Sequence, residues 1–150
     1  MDRDKEEKLI GEAIRARRRA YAPYSGYAVG AAVLTADGRI FGGCNIENAS
    51  YGASNCAERT AVFKAVSEGA AGIEAIAVIG GPAAYGDEVP EEATPCGICR
   101  QVIREFTDPA ACEVIIAKSL TNYRKTTLEK LLPESFGPEK LQRQNTQRNT

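Results

Sequence analysis

The chain has 150 residues, 43% apolar and 26% charged, with a net charge of −1, which is the size and mix of one soluble globular domain. So even a charge argues against general nucleic-acid binding, which needs a surplus of Lys and Arg to displace counterions. The chain has no histidine, which excludes Ser-His-Asp and Cys-His nucleophile systems and every zinc site built on imidazole.

No apolar run approaches the ~18 residues of a membrane span, and Met1 to Lys5 lead into no apolar stretch, so the expectation is a cytoplasmic protein without membrane contact. The cysteines are Cys44, Cys56, Cys96, Cys99 and Cys112. Their number is odd, and a reducing compartment disfavours bridges, so clustered cysteines read as ligands.

In chain order, Asp4 to Tyr21 predicts a helix, with Leu9, Ile10, Ala13, Ile14 and Arg17 at helical spacing and Asp4, Glu6 and Glu7 suited to its first turn. Pro23 ends it. Tyr27–Leu34 and Arg39–Asn45 predict strands joined by the turn Thr35-Ala36-Asp37-Gly38. A helix follows from Cys56 to Glu68, with Asn55 as its N-cap and Gly69 closing it. Ile73–Gly80 is an apolar run of the buried-strand type, and Gly81 to Thr94 is a loop rich in Gly, Pro and acidic residues. Pro95 or Cys96 opens a helix to Phe106, with Ile98, Cys99, Val102, Ile103 and Phe106 as its inner stripe. Glu113–Ala117 predicts a buried strand and Asn122–Thr127 an edge strand; so short a link between them favours antiparallel pairing. Leu128–Leu132 is a helical turn. Strands alternating with helices mean a sheet covered on both faces. The predicted domain is 1–141; the tail 142–150 has no apolar residue and is expected to be disordered or loosely attached.

The chemistry lies in Cys56-Ala57-Glu58 and Pro95-Cys96-Gly97-Ile98-Cys99. Cys96 and Cys99 share one face of a helix start, and Cys56 begins another helix. Helix N-termini favour thiolates, and three converging thiolates suit Zn²⁺ with a fourth position open, the mark of a catalytic site. A structural site with Cys44 or Cys112 as fourth ligand is the alternative. Glu58 tips the balance, because a carboxylate beside an open metal position can deprotonate water, whereas a structural site has no use for it. Zinc with three thiolates carries net −1, so a guanidinium near the sulfurs would restore acidity to its water. Arg59 follows Glu58 directly and Arg100 follows Cys99, and Arg59 is favoured.

Cys56-Ala57-Glu58-Arg59, a spacer, then Pro95-Cys96-Gly97-Ile98-Cys99-Arg100-Gln101 resemble the zinc-dependent cytidine deaminases, whose motif class is known from the zinc deaminases generally. Ala22-Pro23-Tyr24-Ser25, Val29-Gly30-Ala31-Ala32, Asn45 to Tyr51, and Leu131-Leu132-Pro133 to Phe136 resemble the small members that act on free nucleosides. The likeness spans about residues 5 to 141. It implies an α/β fold, a three-layer α/β/α sandwich around a mixed five-stranded sheet. It also implies one zinc per chain on Cys56, Cys96 and Cys99, and hydrolysis of cytidine and 2′-deoxycytidine to the uridines with release of ammonia. Water activated at the metal would attack C4 while Glu58 protonates N3, then passes a proton to the departing ammonia. Asn45 and Glu47 match the pair that binds the sugar hydroxyls. Tyr27 and Ala57 match positions against the base, the Thr94 carbonyl matches the acceptor for the 4-amino group, and Phe136 matches an aromatic reaching a neighbouring subunit's pocket. The all-cysteine ligand set resembles the homotetrameric branch, with shared active sites. Three features depart from the pattern: Tyr27 where Phe is usual, Ile98 where a smaller residue is common, and a long acidic loop over 80–94. The competing readings are a blasticidin-type aminonucleoside deaminase, a deaminase of bases within RNA or DNA, and a zinc-stabilised binding module with no activity. The intact Asn45–Glu47 pair and the even charge favour the nucleoside reading.

Overall fold

Helix α1 (Arg3–Arg17) starts where Asp2 caps it, the carboxylate accepting the Lys5 N–H at 2.9 Å. The structure, a computed structural model, describes residues 1–141; the predicted tail 142–150 lies outside the described residues. α1 stops at Arg17 and not at Tyr21, because Tyr21 is drawn into backbone pairing with the segment after the second strand. Its N–H donates to the Asn45 carbonyl, and its carbonyl accepts from the Glu47 N–H.

Strands β1 (Tyr27–Thr35) and β2 (Ile40–Cys44) form the expected hairpin. Its turn needs Gly38 at φ +89°, a conformation that glycine adopts without steric cost. After a 3₁₀ turn at Tyr51–Ala53 come α2 (Ala57–Ser67), β3 (Ile73–Pro82), α3 (Gly97–Glu105), β4 (Glu113–Ala117), β5 (Tyr123–Thr127) and α4 (Leu128–Leu131). The five strands lie in the order β2-β1-β3-β4-β5. β3 and β4 are parallel, and the other neighbours are antiparallel. The sheet is therefore mixed, as the resemblance implied.

Strand alternation divides the core in two. Ala31 and Val33 of β1, Ile76 and Val78 of β3, and Val114 and Ile116 of β4 face α2, α3 and α4. Ala32 and Leu34, Ala75, Ala77 and Ile79, and Ile115 and Ala117 face α1 through Leu9, Ile10, Ala13 and Ile14. Two glycines set how closely the layers approach. A Cβ on Gly30 would sit 1.9 Å from the Ala13 carbonyl, and one on Gly43 would sit 2.4 Å from the Ala61 nitrogen. Each helix therefore rests directly on strand backbone.

Two local expectations need correction. Cys56, not Asn55, holds the N-cap position of α2; the Asn55 amide instead donates to Thr60 Oγ1 at 3.1 Å. Ile98 is 62% exposed and so leaves the inner stripe of α3, where Cys99, Ile103 and Arg104 are buried. One residue along a helix is a rotation of about 100°, and the turn of Cys99 toward Cys56 swings Ile98 outward.

Glu6 is also more than a favourable charge in a first turn. It is 5% exposed and accepts from Lys125 Nζ at 2.7 Å and from the Tyr123 hydroxyl, tying α1 to β5. These hydrogen bonds, Lys125 foremost, hold its carboxyl below the ordinary value of 4.5. A depressed folded-state pKa gives stability that is complete above the unfolded value and is lost as pH falls through the folded one. Glu6→Gln should therefore lower stability at pH 7 by about 1–2 kcal/mol, the scale for removing a charged partner that is itself half in water. Urea midpoints should show the gap between wild type and variant closing below about pH 4.5. Parallel curves down to pH 3 would remove this role for the carboxylate.

Candidate active site

Two helix starts meet beside the carboxyl end of β3, the end at which open α/β sheets place ligands. Cys56 and Cys96 both occupy N-cap positions with extended backbone, and neither thiol caps its own helix. Both sulfurs are thus left to point at a common centre. Cys99, fully buried in the first turn of α3, completes the group. The three sulfurs lie within 4.8 Å of one another, and those of Cys56 and Cys96 are 3.9 Å apart. Tetrahedral zinc with bonds near 2.3 Å separates its sulfurs by about 3.8 Å. The donor set fits the ion. Cys44, at the end of β2, and Cys112, 1% exposed just before β4, do not join the group.

Arg59, not Arg100, contacts the sulfurs. Its Nη2 donates to Cys56 Sγ at 3.2 Å, whereas Arg100 donates to the Pro95 and Leu131 carbonyls. The Cys56 thiol is held down to about 5, first by the proton it shares with Cys99 and then by Arg59, and that sharing pushes Cys99 up. The second residue of α2, Glu58, is 4% exposed, and burial raises its carboxyl to about 7.

Cys56, Glu58 and Cys96 open into a cavity of about 360 Å³ with Tyr27, Asn45, Ala57 and Thr94 in its walls, a volume suited to a small ligand. The Asn45 amide bridges β1, donating to the Tyr27 carbonyl and accepting from the Val29 N–H, each at 2.8 Å. Glu47 lies outside the cavity lining, as do Arg59 and Cys99. Its carboxylate accepts from the Tyr24 and Ser25 N–H groups at 3.0 and 3.1 Å, and the Ser25 contacts keep its pKa low. Phe136 is 58% exposed and does not line this cavity. Nor does Ile98.

Four lining residues escape a reading of the sequence: Val29, Val78, Glu92 and Ala93. Val29 is two residues from Tyr27 on one strand, so period-2 alternation could have found it. Glu92 is clamped by Arg124 of β5, with Nε to its two carboxylate oxygens at 3.1 and 2.9 Å, a pairing no local pattern announces. A larger cavity of about 520 Å³ lies at the opposite end of the strands, among Ile73, Phe106 and Cys112. It contains no cluster of thiols, so the chemistry belongs to the smaller one.

Residues 3–116 match the family described as the cytidine and deoxycytidylate deaminase zinc-binding region. The chain is 47% identical over 135 residues to a cytidine deaminase of Sporosarcina psychrophila, covering 90% of this chain and 93% of that one. It is 47% identical over 139 residues to one of Halalkalibacterium halodurans, covering 93% and 97%. Among solved structures it is similar to the cytidine deaminase of Burkholderia pseudomallei, with TM-score 0.75, 46% identity and coverage of 86% of this chain and 97% of that one. For the enzyme of Mycobacterium tuberculosis the TM-score is 0.70 at 39% identity, with coverage of 87% and 95%.

Proposed function

The chain belongs to the cytidine and deoxycytidylate deaminase family, and from that premise we propose that it hydrolyses cytidine and 2′-deoxycytidine to uridine and 2′-deoxyuridine, releasing ammonia, as a pyrimidine-salvage enzyme. The observation that carries this reading is the single cavity that sets buried Glu58 beside Cys56 and Cys96 and faces them with Tyr27, Asn45 and Thr94.

Cys56, Cys96 and Cys99 would hold one zinc ion. When bound, zinc supplies the Lewis acidity that makes water a competent nucleophile near neutral pH. Arg59 draws charge from the Cys56 sulfur and so keeps the thiolates from quenching that acidity. Glu58 takes one proton from the water and places it on N3 of the ring as C4 is attacked, then takes the remaining hydroxyl proton and delivers it to the departing amine as the C4 carbonyl forms. Enclosure by α2 keeps this carboxyl out of bulk water, and one group serves each transfer in turn. The Thr94 carbonyl accepts from the 4-amino group, Tyr27 and Ala57 lie against the base, and Asn45 with Glu47 holds the sugar hydroxyls. Both polar ends of the Asn45 amide already grip β1, so it meets a sugar pre-oriented. The decisive measurement is the absorbance change of cytidine on incubation with purified protein, with and without chelator. Unchanged absorbance with the zinc-loaded protein would overturn the proposal.

The assembly proposed is a homotetramer with shared sites, in the cytoplasm. Exposed Tyr21, Tyr24, Tyr51, Phe63, Ile98 and Phe136 supply apolar surface for it, and the five free thiols suit a reducing compartment. Gln101 Nε2 donates to the Phe136 carbonyl at 3.0 Å, holding the backbone while the ring projects outward. Stacking on a base is worth ~1–3 kcal/mol, so Phe136→Ala should raise the KM for cytidine about ten- to a hundredfold. Light scattering beside kinetics checks this: a fully active monomer, or an unchanged KM, removes the shared pocket.

No helix among the described residues is long and apolar enough to cross a membrane.

A further inference from the structure

Arg17 ends α1 on the side of the sheet away from the thiols, yet it is 7% exposed and has no carboxylate among its hydrogen-bond partners. Its five N–H bonds reach five carbonyls. Nε donates to Ala28 at 2.9 Å, Nη1 to Tyr85 and Gly86 at 3.1 and 2.6 Å, and Nη2 to Gly81 and Pro82 at 3.0 and 2.9 Å. One side chain thus joins the start of β1, the end of β3 and the first turn of the loop between β3 and α3.

That loop continues to the cavity with little slack. Val89 is buried, and its N–H donates to the Lys118 carbonyl at 2.9 Å. A Cβ on Gly81 would lie 2.9 Å from its side chain. Glu92 is fixed by Arg124. At Gly80 a Cβ would lie 2.9 Å from the Ala93 Cβ and 3.3 Å from Tyr27 Cε1, so the loop wall presses against β3 at that point. The wall made of Glu92, Ala93 and Thr94 can sit only where the end of β3 and the first turn allow.

We infer that Arg17 is a positioning residue for the substrate cavity: by gathering the carbonyls of residues 81–86 it fixes the loop whose far end presents Thr94 to the base. The inference rests on the deaminase reading for its link to substrate. A wall no longer held would have to be ordered by the incoming nucleoside, and ordering a segment on binding weakens affinity.

The test compares Arg17→Lys and Arg17→Met with Arg18→Ala, whose exposed ion pair with Asp87 touches the same loop. Arg17→Lys keeps the charge and at most three donors, so it covers the case in which Arg17→Met does not fold. Arg17→Lys should raise the KM for cytidine about tenfold, with kcat and one zinc per chain nearly unchanged, and Arg18→Ala should change neither constant. Amide exchange without substrate should rise across residues 83–94 in Arg17→Lys. An unchanged KM with unchanged exchange, a fall in zinc and kcat at constant KM, or an equal effect of Arg18→Ala would overturn the inference. If wild type does not turn over cytidine, the deaminase reading falls, and amide exchange alone still decides whether Arg17 sets the wall.

Discussion

Glu58→Gln should lower kcat for cytidine by about 10²–10⁴, the usual worth of a positioned acid–base group, while the chain should keep one zinc and a wild-type melting curve. Glutamine has the same shape and can still accept from the backbone N–H of residue 58. It removes a carboxyl whose burial already opposes its charge, so the fold has little to lose. Zinc analysis, thermal melts and steady-state kinetics on one preparation separate these effects. A loss smaller than tenfold would end the proton-shuttle assignment. Turnover by wild type that vanishes in the variant while zinc stays bound would also dispose of the binding-module reading, in which wild type itself turns nothing over.

Cys96→Ala should lose zinc and activity together. Three protein donors is a minimal set for a site with an open position, so one deletion removes most of the affinity. Cys96 is exposed at its helix start, so its loss opens no cavity in the core and the apo fold should survive. Cys44→Ala and Cys112→Ala should keep full zinc, since neither sulfur belongs to the cluster. Metal content after dialysis reads all three variants. Stoichiometric zinc in Cys96→Ala would show the ligand set to be wrong.

The cluster of Cys56, Cys96 and Cys99 with Glu58 buried beside it was legible because each half of the motif is local. A thiol at a helix start is announced by its neighbours in sequence, and the resemblance joined the halves. The sheet was legible for a related reason: apolar runs such as Ile73–Gly80 have the length and composition of buried strands. What stayed hidden is long-range and polar. Helical spacing sets Arg17 on the same face as Ile10, Ala13 and Ile14, but nothing near it or Arg104 names the groups that satisfy a buried guanidinium, because those partners lie about 64 and 35 residues away. The sequence pattern runs α1 on to Tyr21 because helical propensity gives no notice of a competitor, the β-bridge that pairs Tyr21 with Ile46. Apolarity alone puts Ile98 inward, yet the same turn of helix has to aim Cys99 at the sulfurs of Cys56 and Cys96.

The strand order also governs when this site comes into being. β1 with β2, and β4 with β5, are neighbours in sequence and pair as local antiparallel units. β3 lies between them, and its register joins Tyr27 to Pro82 and Ala75 to Glu113. These are non-local closures that carry most of the loop entropy of folding and so set its pace. Cys56 precedes β3 and Cys96 follows it, so the ligands cannot converge until that strand has docked. On that order zinc would be loaded into a sheet already built, and its supply should govern how many folded chains are competent while leaving the rate of their folding unchanged.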